Sequence, residues 1–151
     1  MPRILNRLIY SCFLLLRALQ APVAFGANGL VLDSDGRVLL VRLGYRRGWH
    51  LPGGGVHAGE APEAALRREL AEEVGLSGGR AVLSGLFTVR VGLVTNVVAF
   101  YRVEDAVIDF HPNFEVREIL WADPAAPPPG TAPHALRRLA EFRGAPAGAF
   151  W

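Results

Sequence analysis

The chain has 151 residues, 51% of them hydrophobic and 20% charged, which excludes a disordered segment and leaves room for one compact core rather than two. Its formal charge is only +2, and every basic side chain is an arginine; guanidinium forks suit phosphate oxygens, but so small and scattered an excess argues against a surface for a nucleic-acid polymer. The lone cysteine, Cys12, rules out an intramolecular disulfide and a cysteine-built metal cluster, and fits a reducing, cytoplasmic setting.

At the amino terminus Arg3 and Arg7 precede the apolar stretch Leu8 to Leu16, with Ala18 and Ala21 behind it, a superficial likeness to a secretory signal. Arg17 interrupts the run, which is shorter than the roughly 20 residues a spanning helix needs, and no small-x-small triplet follows. The reading adopted is an amphipathic helix, Ile4 to about Leu19, ended by Pro22 and packed on the domain or on a partner subunit. Attachment of the same face to a membrane surface is the less favoured alternative. Residues 1–21 are thus set apart from a single domain over 22–151.

Val23 to Leu32 is a β-rich run. Asp33-Ser34-Asp35-Gly36 is a turn, and Val38 to Val41 is aliphatic, so the three together predict a hairpin. Leu43 to Gly55, ending Leu51-Pro52-Gly53-Gly54-Gly55, predicts a loop with special backbone requirements. Pro62 suits a first helical turn, the residues to Val74 are strong helix formers, and Gly75 supplies the stop. Strand-like runs follow at Arg80 to Val91, Thr95 to Val103 and Glu115 to Trp121; a proline-rich link then leads to a short helix from about His134 to Phe142. Strands outnumber helices without repeated β-α-β units, which predicts an α/β (α+β) domain with a mixed sheet sandwiched by helices.

On the long helix, Glu69, Glu72 and Glu73 stand at i, i+3 and i+4 and share one side, next to an apolar stripe of Leu66, Leu70 and Val74. Crowded carboxylates beside a core suit hard divalent cations such as Mg²⁺ or Mn²⁺, which pair carboxylates with substrate phosphates. The same spacing also serves plain solvated i, i+4 pairs, so the three glutamates alone leave both readings open.

The whole segment Gly54 to Leu76 resembles the Nudix box: Gly, five residues, Glu, seven residues, then Arg-Glu-apolar-any-Glu-Glu-any-Gly-apolar. Gly54, Glu60, Arg68, Glu69, Leu70, Glu72, Glu73, Gly75 and Leu76 fill every specified position. With average residue usage such a match is expected about once in a billion starting points. The Leu-Pro-Gly-Gly entry, the aliphatic strand before it and the Glu-rich, Trp-containing strand after it are also similar to the family. Ala61 departs from it, standing where many relatives carry a capping Ser or Thr.

The resemblance implies a Nudix-like α/β/α sandwich with a loop-helix-loop catalytic motif, and a Mg²⁺- or Mn²⁺-dependent hydrolase cleaving a phosphoanhydride in a nucleoside diphosphate linked to another moiety. It implies that Glu69, Glu72 and Glu73 serve the metals, with Glu72 and Glu73 as principal ligands and Glu69 also the better base for the attacking water. The Gly53 carbonyl would complete the metal shell, Arg68 would aim the glutamates, and Glu60 would hold loop and helix together. A fourth carboxylate is expected from Glu115 or Glu118, which alternation sets on opposite strand faces or across a bend, so that only one of them helps.

Arg42, Tyr45, Arg46, Arg47 and Trp49 crowd the loop before the box, where an arginine could grip phosphate and an aromatic ring stack on a base; a solvated loop with one core tryptophan is the alternative. No histidine is assigned a catalytic role, His50 and His57 included. The expected partner is a small-molecule nucleotide and not a nucleic-acid polymer, and homodimerisation enters by family analogy alone. The motifs that mark ADP-ribose, NADH or coenzyme A specialists in the family have no counterpart here. The competing class is a non-catalytic nucleotide-binding module of the same fold, against which the intact glutamate set argues.

Overall fold

The computed structural model describes residues 2–20 and 22–151, with side chains from position 8 onward. The flanks Arg3 and Arg7, as side chains, and Ala21 lie outside the described residues. The elements run α1 (Pro2–Gln20), β1 (Val23–Val31), β2 (Val38–Leu43), β3 (Gly53–Gly55), α2 (Pro62–Val74), β4 (Leu76–Val91), β5 (Val94–Ile108), β6 (Val116–Ala122) and α3 (Pro133–Phe142).

A four-stranded mixed sheet has the order β3-β1-β5-β4, and β2 pairs with β6 in a separate two-stranded sheet. The expected hairpin is corrected by this arrangement. The turn forms, with Gly36 at φ +76° and its N–H on Asp33 O at 3.1 Å, but pairing stops after the bridge Leu32–Val38. The chain diverges there because β1 is an inner strand, taken up by β5 in parallel and β3 antiparallel, which leaves β2 to β6. The predicted 43–55 loop is also amended: Gly53 to Gly55 extend as β3 against Gly26 to Asn28 of β1.

Alternation along β1 sends successive residues to the two layers. Ala27 and Val31 join Ala65, Leu66, Leu70 and Val74 of α2, while Leu30 and Leu32 join Phe87, Phe100, Ala135 and Leu139 on the α3 side. Gly29 faces α2 so closely that a Cβ there would stand 3.4 Å from both Leu66 Cδ1 and Leu70 Cδ1. The result is the expected α/β/α sandwich. α2 begins at Pro62 with no side-chain cap from Ala61 and ends at Gly75, φ +66°, whose N–H reaches Ala71 O at 3.1 Å.

Against the expectation that it packs on the domain, α1 presents every side chain from Leu8 to Gln20 to solvent. Among the described residues no helix is long and apolar enough to cross a membrane.

Candidate functional site

The apolar stripe of α2 is wholly buried, so its neighbouring side is pressed against β3. Glu73, 4% exposed, accepts the Gly53 N–H at 2.8 Å. Burial pushes its carboxyl up to about 7, and the charges of Glu69, Glu115 and Glu72 push the same way against the Gly53 hydrogen bond. Glu69 lies under Gly54, where any Cβ would collide with its carboxyl group. A side chain at position 54 is therefore incompatible with Glu69 where it stands, which is the local reason for a glycine.

Arg68 ties this cluster together. Its Nε and Nη2 donate to the two oxygens of Glu60, each at 3.0 Å; Nη1 donates to Glu69 at 2.7 Å, and Nη2 also reaches Gly55 O at 2.9 Å. The fork pulls the Glu60 carboxyl down to about 2, chiefly through these hydrogen bonds, helped by the His57 N–H at 2.9 Å. Glu72 is the outermost of the three box glutamates, 62% exposed, with Arg68 Nη1 at 3.8 Å.

The alternatives at 115 and 118 separate cleanly. Glu118 pairs with Arg42 at 2.8 Å across the β2–β6 ladder, whereas Glu115 is near enough to raise the Glu73 carboxyl. Asn113 fastens this segment to the end of α2, donating to Glu73 O at 3.0 Å while its Oδ1 accepts from the N–H groups of Glu115 and Val116. Sequence reasoning passed over Asn113; its signal was the turn chemistry of Asn after Pro112.

On the other side of β3 opens a cavity of about 650 Å³. Tyr45 and Arg46 line it together with Gly53 to Gly55, Asn28, Asn96, His50, His134 and Trp151. Tyr45 links cavity and carboxylates, since desolvation and then the Glu73 charge hold its hydroxyl above the usual value. Arg42, Arg47 and Trp49 do not line this cavity: Trp49 is core, 5% exposed, with Arg42 stacked 4.4 Å over its ring. His50 Nε2 donates to Arg47 O at 2.9 Å. His134 stacks between His50 and Trp151, with ring centroids 5.5 and 5.4 Å away, and burial drives its imidazole down to about 4. Neither His134 nor Trp151 was legible as a lining residue, because the tail reaches the cavity only by pairing with β4 at Thr88.

Among the described residues no three His, Cys, Asp or Glu side chains converge as a ready cage for a metal ion. Glu69 is turned toward Arg68 and Glu73 toward Gly53 N–H. The donor set nevertheless fits a hard divalent cation: Glu69, Glu72 and Glu73 on adjacent turns with Glu115 opposite, one of them buried with its charge disfavoured.

The NUDIX domain family model matches residues 23–142. The chain is 46% identical over 84 residues to the RNA pyrophosphohydrolase of Pseudomonas paraeruginosa, covering 55% of this chain and 48% of that protein. It is 51% identical over 49 residues to the RNA pyrophosphohydrolase of Acinetobacter baylyi, covering 32% of this chain and 30% of that one. The chain thus spans less than half the length of these curated relatives. Among solved structures, the MutT NUDIX hydrolase of Burkholderia pseudomallei superposes with a TM-score of 0.70 at 22% identity, over 78% of this chain and 96% of that one. The MutT protein of Methanosarcina mazei gives 0.66 at 20% identity, over 83% and 99%. At such identities the likeness concerns the fold.

Proposed function

This chain belongs to the NUDIX domain family, and from that premise we propose that it is a divalent-metal-dependent pyrophosphohydrolase acting on a nucleoside diphosphate linked to another moiety. The observation that carries the proposal is the box itself folded into one unit. Glu69, Glu72 and Glu73 share a side of α2, Glu73 is held on Gly53, and Glu69 is held by an Arg68 fork that also grips Glu60.

Glu72 and Glu73, with Glu69 and the Gly53 carbonyl, would hold Mg²⁺ or Mn²⁺. Such a cation lowers the pKa of bound water and neutralises charge on bridging and leaving oxygens. Arg68 holds Glu69 in place, so Glu69 is the residue placed to take the proton of the attacking water. Water adds to one phosphorus and the bond from that phosphorus to the bridging oxygen breaks. The products are two phosphate esters, or one ester and pyrophosphate when a triphosphate is cut. Tyr45 and Arg46 stand at the entrance to the neighbouring cavity, where a base or a phosphate would rest. Glu115 serves as the fourth carboxylate; Glu118, paired with Arg42, does not.

A second substrate reading is an RNA, favoured by the name of the curated relatives and by the 46% identity over 84 residues. The arginine excess of the whole chain is slight, so recognition would be of an RNA end rather than of a long backbone.

The test is release of phosphate, pyrophosphate or nucleoside monophosphate from nucleoside triphosphates, ADP-ribose, nucleotide sugars, dinucleoside polyphosphates and a triphosphate-ended RNA. Each is incubated with Mg²⁺ or Mn²⁺, comparing wild type with Glu72→Gln. Metal-dependent turnover that the variant loses is the expected result. Metal and nucleotide binding without turnover of any substrate would make the chain a non-catalytic module instead.

A further inference from the structure

Among the described residues, the side chains of α1 are all exposed. Over its described side chains, Leu8, Ile9, Cys12, Leu15, Leu16 and Leu19 fall within an arc of about 120° at 100° per residue, while Arg17 lies across from them and Ser11 and Gln20 flank the arc. Phe13 borders the stripe, and Leu14 and Tyr10 are the large apolar side chains that break the pattern on the polar side. The stripe is open: Leu8 is 59% exposed, Leu15 63% and Leu19 72%. Six aligned apolar side chains in water are costly, so something covers them.

Charge and position indicate what. The first acidic residue of the chain is Asp33; before it stand Arg3, Arg7 and Arg17 and no Asp or Glu. A second copy of this chain would set basic helix against basic helix, whereas an anionic surface complements it. The place where α1 feeds into the domain continues the theme. The Thr95 N–H donates to Pro22 O at 3.1 Å, so β1 enters beside the β4–β5 hairpin tip. That tip reads Arg90-Val91-Gly92-Leu93-Val94, with Leu93 83% exposed and Val91 62%, and Val23 adjoining at 65%. The start of β1, which follows α1 in the chain, and the β4–β5 tip thus bring exposed apolar side chains and Arg90 to one end of the sheet. Among the described residues no helix, α1 included, is long and apolar enough to cross a bilayer.

We infer that α1 lies in the plane of an anionic phospholipid surface, its leucine stripe in the acyl boundary and its arginines among the headgroups, with the β4–β5 tip as a second contact. The α1 stripe is separate from the carboxylates, whereas Val91 and Val94 of the tip also line the cavity beside them.

The full chain is sedimented with vesicles of phosphatidylcholine alone or of phosphatidylcholine mixed with phosphatidylglycerol. Binding about tenfold or more stronger to the anionic vesicles is expected, and it should weaken when molar salt shortens the screening length. Leu15→Glu with Leu19→Glu should abolish binding, Arg17→Glu should erase the preference for anionic lipid, and Leu93→Ser should reduce binding several-fold. Because the α1 side chains from Leu8 to Gln20 are all exposed, circular dichroism and hydrolysis in free solution should be unchanged in the α1 variants. Equal binding to both vesicles, no sedimentation at all, or binding that survives the double Glu variant would overturn the inference. So would a dimer in vesicle-free solution that the double Glu variant converts to monomers.

Discussion

Glu73→Gln should make the metal-free protein more stable at neutral and basic pH while removing its activity. The wild-type carboxyl is raised from 4.5 to about 7 in the folded state, so the folded chain prefers it protonated. Below about pH 4.5 the group is protonated whether the chain is folded or not, and it costs nothing. As pH rises through 7 the unfolded chain gains from ionisation what the folded chain cannot, and stability falls by at most about 3 kcal/mol. Glutamine keeps the length and an oxygen for the Gly53 N–H, which donates at 2.8 Å, yet never ionises. Urea unfolding in EDTA from pH 4.5 to 8 should therefore show the two proteins equal at the acid end. The variant should lead by about 2–3 kcal/mol at pH 8. Adding Mg²⁺ should recover part of the loss in wild type and little in the variant, since a ligand that binds only the folded state stabilises it. Parallel pH curves for the two proteins in EDTA would refute the reasoning, because the buried carboxylate would then not be the strained group.

Four further outcomes follow from the structure. His134, driven down to about 4 by burial first and then by His50 and nearby arginines, contributes stability that is complete above pH 6.5 and lost as pH falls through 4; His134→Phe should flatten that acid limb, worth at most about 3 kcal/mol, in unfolding titrations. Gly53→Ala should cost about 3 kcal/mol or more, because position 53 sits at φ +133° and a Cβ would strike backbone atoms of Ala27 and Asn28. Gly54→Ala meets only the Glu69 side chain and should spare stability but not turnover, as thermal melts and hydrolysis assays run side by side would show. Arg68→Lys, which keeps a charge but loses the fork on Glu60 and Glu69, should lower kcat/KM by about 10–100-fold, measured at saturating Mg²⁺.

How much of this was legible depended on how local the cause was. α2 runs from Pro62 to Val74 as the sequence predicts, because its start is set by proline, its end by Gly75 and its face by the Leu66, Leu70, Val74 spacing. The pairing of β1 was not legible, since its best partner, β5, starts 63 residues beyond Val31 at Val94 and the turn at 33–36 favours the wrong neighbour. Alternation showed that Glu115 and Glu118 differ in direction, but only the Arg42–Glu118 register tells which faces α2. The exposure of α1 is likewise a tertiary fact: the helix period is in the sequence, the absence of a domain surface to receive it is not.

Two parts of the site draw on different stretches of chain, and that division limits what the box can say. The box glutamates Glu69, Glu72 and Glu73 and Arg68 all lie on a helix whose other side is locked into the core, so their arrangement follows from one short segment and one packing face. The cavity is assembled from β1, the 43–55 loop, β5, α3 and the tail, none of which the box specifies beyond Gly54 and Gly55. β3 touches both parts, Gly53 donating to Glu73 while Gly53 to Gly55 line the cavity. Glu73 pulls on it at Gly53 from one side, and the cavity opens from the other.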